Sequence, residues 1–284
     1  SRPLRALEAA GTIALTRVKS DASGTVDPGD IRKAMTPRTR LVAITHASNV
    51  LGTVQPAEEI ARAAHEGGAL FLLDAAQTAG VLPLHAERMG FDLVAVPGHK
   101  SLLGPTGTGA LYVGPRAKLR AWREGGTGGD SFSETQPTDY PFFLEGGTPN
   151  VAGLAGLAAG IRWVAAKGVD AIHRHETELC ARLWDGLDGL GWAVLGHRDP
   201  ARRVGTVSFR HEALPADVVG GVLDAEFGIA IRPGFHCAPY IHRALGTEDS
   251  GAVRASPGPF STAADIDALL EALRQIGAEA GGMA

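Results

Sequence analysis

Covalent chemistry is within reach of one lysine in this chain. Lys100 stands in Val96-Pro97-Gly98-His99-Lys100-Ser101-Leu102-Leu103-Gly104-Pro105-Thr106-Gly107-Thr108-Gly109, directly after the apolar run Leu93-Val94-Ala95-Val96. Glycines on both sides let a ligand approach the backbone, and an amine so placed suits Schiff-base chemistry better than surface solvation. Upstream, Leu72-Leu73-Asp74-Ala75-Ala76-Gln77 ends a second apolar run with a carboxylate. A lysine and a carboxylate at neighbouring strand ends match what pyridoxal phosphate needs: the amine holds the aldehyde, and the carboxylate keeps the pyridine nitrogen protonated as an electron sink. An ordinary reading stands beside this one, in which Lys100 is merely solvated and Asp74 merely caps a helix.

The elements that must position these residues alternate through the first half. Strands are expected over 12–18, 40–45, 69–74, 93–96 and 109–113. A short helix opens at Asp27-Pro28-Gly29-Asp30, with a capping acid and an early proline, and an amphipathic helix spans 56–66. Near-continuous apolar strands separated by helices indicate a mostly parallel sheet covered by helices. Sites in such sheets lie at the carboxyl ends of strands, where Asn49, Asp74 and Lys100 all fall. The Gly-rich, aromatic-bearing stretch 125–147 lacks periodicity and is too long for a plain connector, so it reads as a functional loop crossing a site or a subunit boundary. Helices over 151–166 and 169–190, strands over 204–210, 229–232 and 252–256, and helices over 215–226 and 262–276 follow. The expected division is an α/β large domain over 1–166 and a smaller α+β domain over 167–284.

Composition closes off other classes. A formal net charge of -4 and no basic patch leave no electrostatic footprint for nucleic acid. No apolar run approaches the ~20 residues that cross a bilayer, and the N-terminus has no signal-peptide pattern. Cys180 and Cys237 are too far apart to frame a disulfide scaffold or a zinc site, which makes a reducing cytoplasm the default. His173 and His175 lie two apart on a helix and face different sides, so no metal is expected there. Trp163, Trp184 and Trp192 read as core residues, and Cys180, in a helical stretch, as a small buried hydrophobe.

Seven segments in this order resemble the class V (fold-type I) aminotransferase family, in its cysteine desulfurase, SufS-like and selenocysteine lyase-like branch. They are 45–52 (THASNVLG), 74–77 (DAAQ), 98–100 (GHK), 104–107 (GPTG), 145–150 (EGGTPN), 232–239 (RPGFHCAP) and 253–256 (VRAS). The resemblance covers essentially the whole chain and implies a role for each residue. Lys100 is the Schiff-base lysine and then the base that moves the α-proton. Asp74 pairs with the pyridinium nitrogen, Gln77 with the phenolic oxygen, and Asn49 with the substrate or the same ring edge. His99 contacts the phosphate, and Thr148 reaches the phosphate of a neighbouring subunit, which implies a homodimer with shared sites. Arg254, a planar fork on an apolar strand, grips the substrate α-carboxylate, although an ordinary salt bridge would also account for it. Arg232 belongs to the substrate-binding set. Cys237 is the nucleophile that takes the substrate sulfur as a persulfide, its thiolate favoured by His236 and Arg232; the alternative of a small buried hydrophobe fits it poorly, since Gly234 and Pro239 bracket it in a loop.

Two departures bear on that expectation. Pro97 stands where the family commonly has Ser or Thr, and it offers neither hydroxyl nor N–H to a phosphate. The resemblance also implies a longer N-terminal part, carrying a Gly-Thr phosphate loop and a ring-stacking histidine, for which Ser23-Gly24-Thr25 is no substitute. A truncated sequence is therefore expected, with Ser1-Arg2-Pro3-Leu4 inside a helix. The leading expectation is a cytoplasmic pyridoxal-phosphate-dependent desulfurase converting cysteine to alanine and passing sulfur to an acceptor protein. Two alternatives remain open: another class V enzyme (transaminase, selenocysteine lyase or epimerase), and a truncated paralogue without catalysis.

Overall fold

A computed structural model describes residues 2–128 and 132–282. Helix α1 (Arg2–Ala9) has no buried residue. Helix α2 (Pro28–Ala34) starts as its sequence dictates: the Asp27 carboxylate accepts from the Gly29 N–H at 2.6 Å, and Pro28 fills the first turn. Then come β1 (Leu41–Thr45), α3 (Ala57–Glu66), β2 (Leu70–Asp74), β3 (Leu93–Pro97) and β4 (Gly109–Val113). These strands form one sheet in the order β1-β2-β3-β4, parallel except for the β3–β4 pair. The register sets Thr45 beside Asp74 and Asp74 beside Ala95, so the carboxyl ends of β1, β2 and β3 lie together.

One sheet face packs Phe71, Leu73 and Val94 against Ile31, Ile60 and Ala64 from α2 and α3. At ~25 cal/mol per Å², such burial is the main force holding these elements together. The other face carries Leu41 and Leu111, which are 40% and 45% exposed.

Helices α4 (Val151–Lys167) and α5 (Val169–Leu187) lead to β5 (Ala193–Leu195), β6 (Val207–Arg210), α6 (Ala216–Phe227), β7 (Arg232–Gly234), α7 (Pro239–Leu245), β8 (Ala252–Ala255) and α8 (Ala263–Gly282). The second sheet is antiparallel throughout, in the order β5-β6-β8-β7. Leu183, Trp184, Phe209, Leu223 and Leu273 form its separate core.

Several expectations are corrected. Residues 12–18 form no strand: among the described residues nothing pairs with them, and apolar alternation without a ladder partner is not a strand. Val18 packs on the first core instead, and the Arg17 guanidinium lies 4.4 Å from the Tyr240 ring centre. The strand expected over 229–232 is β7, shifted later, because Ile229 and Ile231 pack on the second core. The stretch 204–210 is a strand only from Val207. Trp163 is not core: it is 36% exposed and packs on Phe260 with ring centres 4.9 Å apart. The short elements β5, of 3 residues, and α7, of 7, are too brief to show a period in the sequence. The described residues of 125–147 carry neither helix nor strand, and 129–131 of that stretch lie outside the described residues.

The loop after β1 stitches the two sheets together. Val54 N–H donates to the Arg202 carbonyl at 2.8 Å, Val204 N–H to Gly52 at 2.9 Å, and Ser208 Oγ to Val50 at 2.6 Å. Arg203, fully buried, donates to the carbonyls of His197 and Thr206 and lies 4.2 Å over the Trp184 ring. Gly52, at φ +74°, faces three partners near 3.0 Å where a Cβ would sit, so a side chain there would part the seam.

Candidate active site

Lys100 is presented by a tight turn at the end of β3. Leu103 N–H donates to the Lys100 carbonyl and Gly104 N–H to that of Gly98, both at 2.8 Å. Helix α4 backs this turn: Leu157 lies against the positions where Gly98 and Gly104 would carry a Cβ, and Gly160 against the Leu102 and Leu103 carbonyls. The lysine side chain is exposed. Crowding by the surrounding protein nevertheless lowers its pKa from the ordinary value. Asp74 and Cys237 oppose that shift, while Arg254 and Arg232 add to it. All four expected neighbours are thus within electrostatic reach of the amine, although they come from both sheets. A lysine held below its usual range presents more of the neutral amine that attacks a carbonyl.

Asp74, exposed at the end of β2, turns one carboxylate oxygen to the Ala76 N–H at 3.0 Å and keeps acceptor capacity for another donor. Gln77 is half-buried, and its side chain makes no hydrogen bond among the described residues. His99 is exposed beside Lys100. Thr148 is exposed two residues before Asn150, the N-cap of α4, and its side chain has no hydrogen bond to the other site residues among those described.

On the second sheet, Arg232 and Arg254 face each other across β7 and β8. Arg254 donates through Nη1 to the Asn49 carbonyl at 2.9 Å, while its buried Nε finds no acceptor. Burial and the neighbouring Arg232 lower its pKa, with Cys237 opposing. A buried guanidinium N–H without a partner is costly, and an acceptor such as a carboxylate would relieve that cost.

Cys237 is exposed, and Arg232 donates through Nη2 to its Sγ at 3.4 Å. His236 and Cys237 both have positive φ, 52° and 60°. That conformation costs about 1–2 kcal/mol per L-residue, so other contacts must hold the loop. Asn49 supplies one, donating through Nδ2 to the His236 carbonyl at 2.6 Å. This clasp between the sheets was not foreseen, because sequence spacing carries no signal for a contact to a main-chain oxygen. By contrast, Cys180 is fully buried, and burial pushes its thiol up to about 12, which makes it inert.

The fold and site can be set beside known proteins. The aminotransferase class-V family profile matches residues 1–269. A probable cysteine desulfurase of Methanothermobacter thermautotrophicus is 38% identical over 264 residues, covering 91% of this chain and 66% of that protein. One from Halalkalibacterium halodurans is 39% identical over 267 residues, covering 92% and 64%. The apo structure of a cysteine desulfurase from Thermococcus onnurineus NA1 superposes with a TM-score of 0.85 at 32% identity, over 98% of this chain and 70% of that one. The chain therefore spans slightly less than two thirds of the length of these curated relatives.

Proposed function

The chain belongs to the class-V aminotransferase family, and from that premise we propose that it carries the chemistry of a pyridoxal-phosphate-dependent cysteine desulfurase. The residues fit the cofactor. Lys100 has a lowered pKa and an open side chain, Asp74 keeps a free acceptor at the neighbouring strand end, and Gln77 offers an uncommitted amide. Lys100 would hold it, Asp74 its ring nitrogen, Gln77 and Asn49 its ring edge, and His99 and Thr148 its phosphate. Bound pyridoxal phosphate would supply the electron sink that takes up the electron pairs released at the substrate carbons.

The chain's own groups do the rest. Arg254, aided by Asn49 and Arg232, orients the amino acid by its carboxylate. Lys100 removes the α-proton, and a proton is returned to carbon when alanine forms. The Cys237 thiolate attacks the substrate sulfur, so that an S–S bond forms as the C–S bond breaks. Cysteine and the Cys237 thiol thus become alanine and a Cys237 persulfide, with no outside oxidant or reductant. The observation that carries the reading is Arg232 donating to Sγ at 3.4 Å on an exposed, strained loop within electrostatic reach of Lys100. A transaminase or epimerase has no use for a thiol so held.

The reading extends to a homodimer in which Thr148 serves the neighbouring site, to a large unit over 1–166 and a small unit over 167–284, to a sulfur-acceptor protein, and to a cytoplasmic setting. No helix among the described residues is long and apolar enough to cross a membrane. The test is alanine formation from L-cysteine with pyridoxal phosphate present. Wild type should form alanine, while C237A and K100A should each lose at least about a hundredfold, the size expected for a nucleophile or general base. A C237A variant as active as wild type would transfer the chain to another class V reaction.

A further inference from the structure

We propose that His236 is a positioning residue for Cys237: its ring and its carbonyl together fix the loop that sets the thiol against Arg232. The proposal deepens the desulfurase reading and rests on it for the role of the thiol, but the geometry stands by itself. The loop leaves β7 through Gly234, at φ +99°, where the backbone passes so close to Gly251 that a Cβ on Gly251 would lie 2.8 Å from it. That approach brings the His236 ring under β8, where it is 2% exposed and Nε2 lies 3.1 Å from the Ala252 carbonyl. A carbonyl only accepts, so Nε2 carries the proton and donates, while the buried Nδ1 is bare and without a partner. The His242 ring, 5.7 Å away centre to centre, closes the other side and is itself held by Thr247 at 2.8 Å. The carbonyl of the same residue is clasped by Asn49 at 2.6 Å.

Two consecutive residues in the left-handed region have no reason to stay there unless tethered. The Ala238 N–H donates to the Phe235 carbonyl at 2.9 Å and closes the turn locally, while the hydrogen bonds that tie this turn to β8 and to the loop after β1 both run through His236, and Cys237 is the next residue. His236 does not act as the base for the thiol: burial and the nearby Arg254 hold its pKa down to about 4, and its one proton faces Ala252. Lys100, Arg254 and Arg232, all cationic, lie within electrostatic or hydrogen-bond reach of Cys237. Releasing the loop therefore takes the sulfur away from Arg232, which holds it at 3.4 Å, and from the other cations set around it.

The experiment is the pH profile of Cys237 alkylation by iodoacetamide in the whole chain, for wild type, H236F and H236Q, with C237A as blank. Buried Cys180 stays silent. H236F should alkylate about tenfold more slowly across the profile, because the sulfur is no longer held in place, while H236Q, which restores a donor, should stay near wild type. A wild-type profile in folded H236F overturns the proposal. If H236F does not fold, N49S, which cuts the carbonyl tether alone, is expected to lower the profile in the same way, and its failure to do so overturns the proposal equally. Alanine formation in the same samples separates the two claims, since a lowered profile without alanine from wild type sinks the desulfurase reading and leaves the positioning role intact.

Discussion

At the scale of single residues, the site consists of groups left partly unsatisfied. Arg254 keeps a buried N–H without an acceptor, Asp74 a free acceptor, and Lys100 a lowered pKa. A substrate carboxylate on the Arg254 fork should contribute a charge-assisted, two-bond contact worth about 1.5–3 kcal/mol. R254A should therefore raise KM for cysteine roughly tenfold or more, and R254K should recover little, because an ammonium cannot match the planar fork. Steady-state kinetics on the two variants checks this, and an unchanged KM in R254A would remove the carboxylate role. The apolar runs before Asp74 and Lys100 place these two at neighbouring strand ends, as the structure has them, whereas the roles of Asn49, Arg254 and Cys237 rest on the family resemblance and stand as proposals. The Asn49–His236 and Arg254–Asn49 contacts are not legible in the sequence, since both end on main-chain oxygens brought close only by the meeting of two sheets.

Among the elements, the parallel strands β1, β2 and β3 and the helices with clear amphipathic or capped starts could be read directly, because period and caps agree there. The failures share one cause. Residues 12–18 alternate like a strand but have no strand partner among the described residues, and Ile229 and Ile231 are apolar for the second core and not for a ladder. Apolar period reports burial; hydrogen-bonded pairing is decided by what arrives alongside. The support of the Lys100 turn by α4 is equally invisible in the sequence, yet it makes a sharp prediction. A Cβ on Gly160 would come within 2.3 Å of the Leu102 carbonyl oxygen, so G160A must push α4 off the turn. The expected cost is about 1–3 kcal/mol of stability, measured by urea unfolding, together with weakened pyridoxal phosphate binding at Lys100 measured by visible absorbance. Unchanged stability and binding would mean that α4 does not hold the turn.

For the molecule as a whole, buried titratable groups set the pH range over which both cores persist. His46 and His236 are held near 4 by burial, below the unfolded value of 6.5, so they are neutral when folded and lower stability as pH falls from about 6.5 towards 4. Glu176, buried against Gly205, is pushed up to about 8 from 4.5, so the folded state keeps a proton that the unfolded chain has lost. Its contribution falls as pH rises from about 4.5 through 8, by an amount on the order of a few kcal/mol. E176Q should remove that loss, so its Tm relative to wild type should climb between pH 5 and pH 8; a constant difference would show that Glu176 is ionised in the fold. The central claim, that the two sheets meet to deliver sulfur to Cys237, is tested most directly by mass spectrometry of the chain after incubation with pyridoxal phosphate and L-cysteine. The account predicts one added sulfur atom on the peptide containing Cys237, absent from the Cys180 peptide and from the K100A variant. Alanine produced with no sulfur on Cys237 would contradict it.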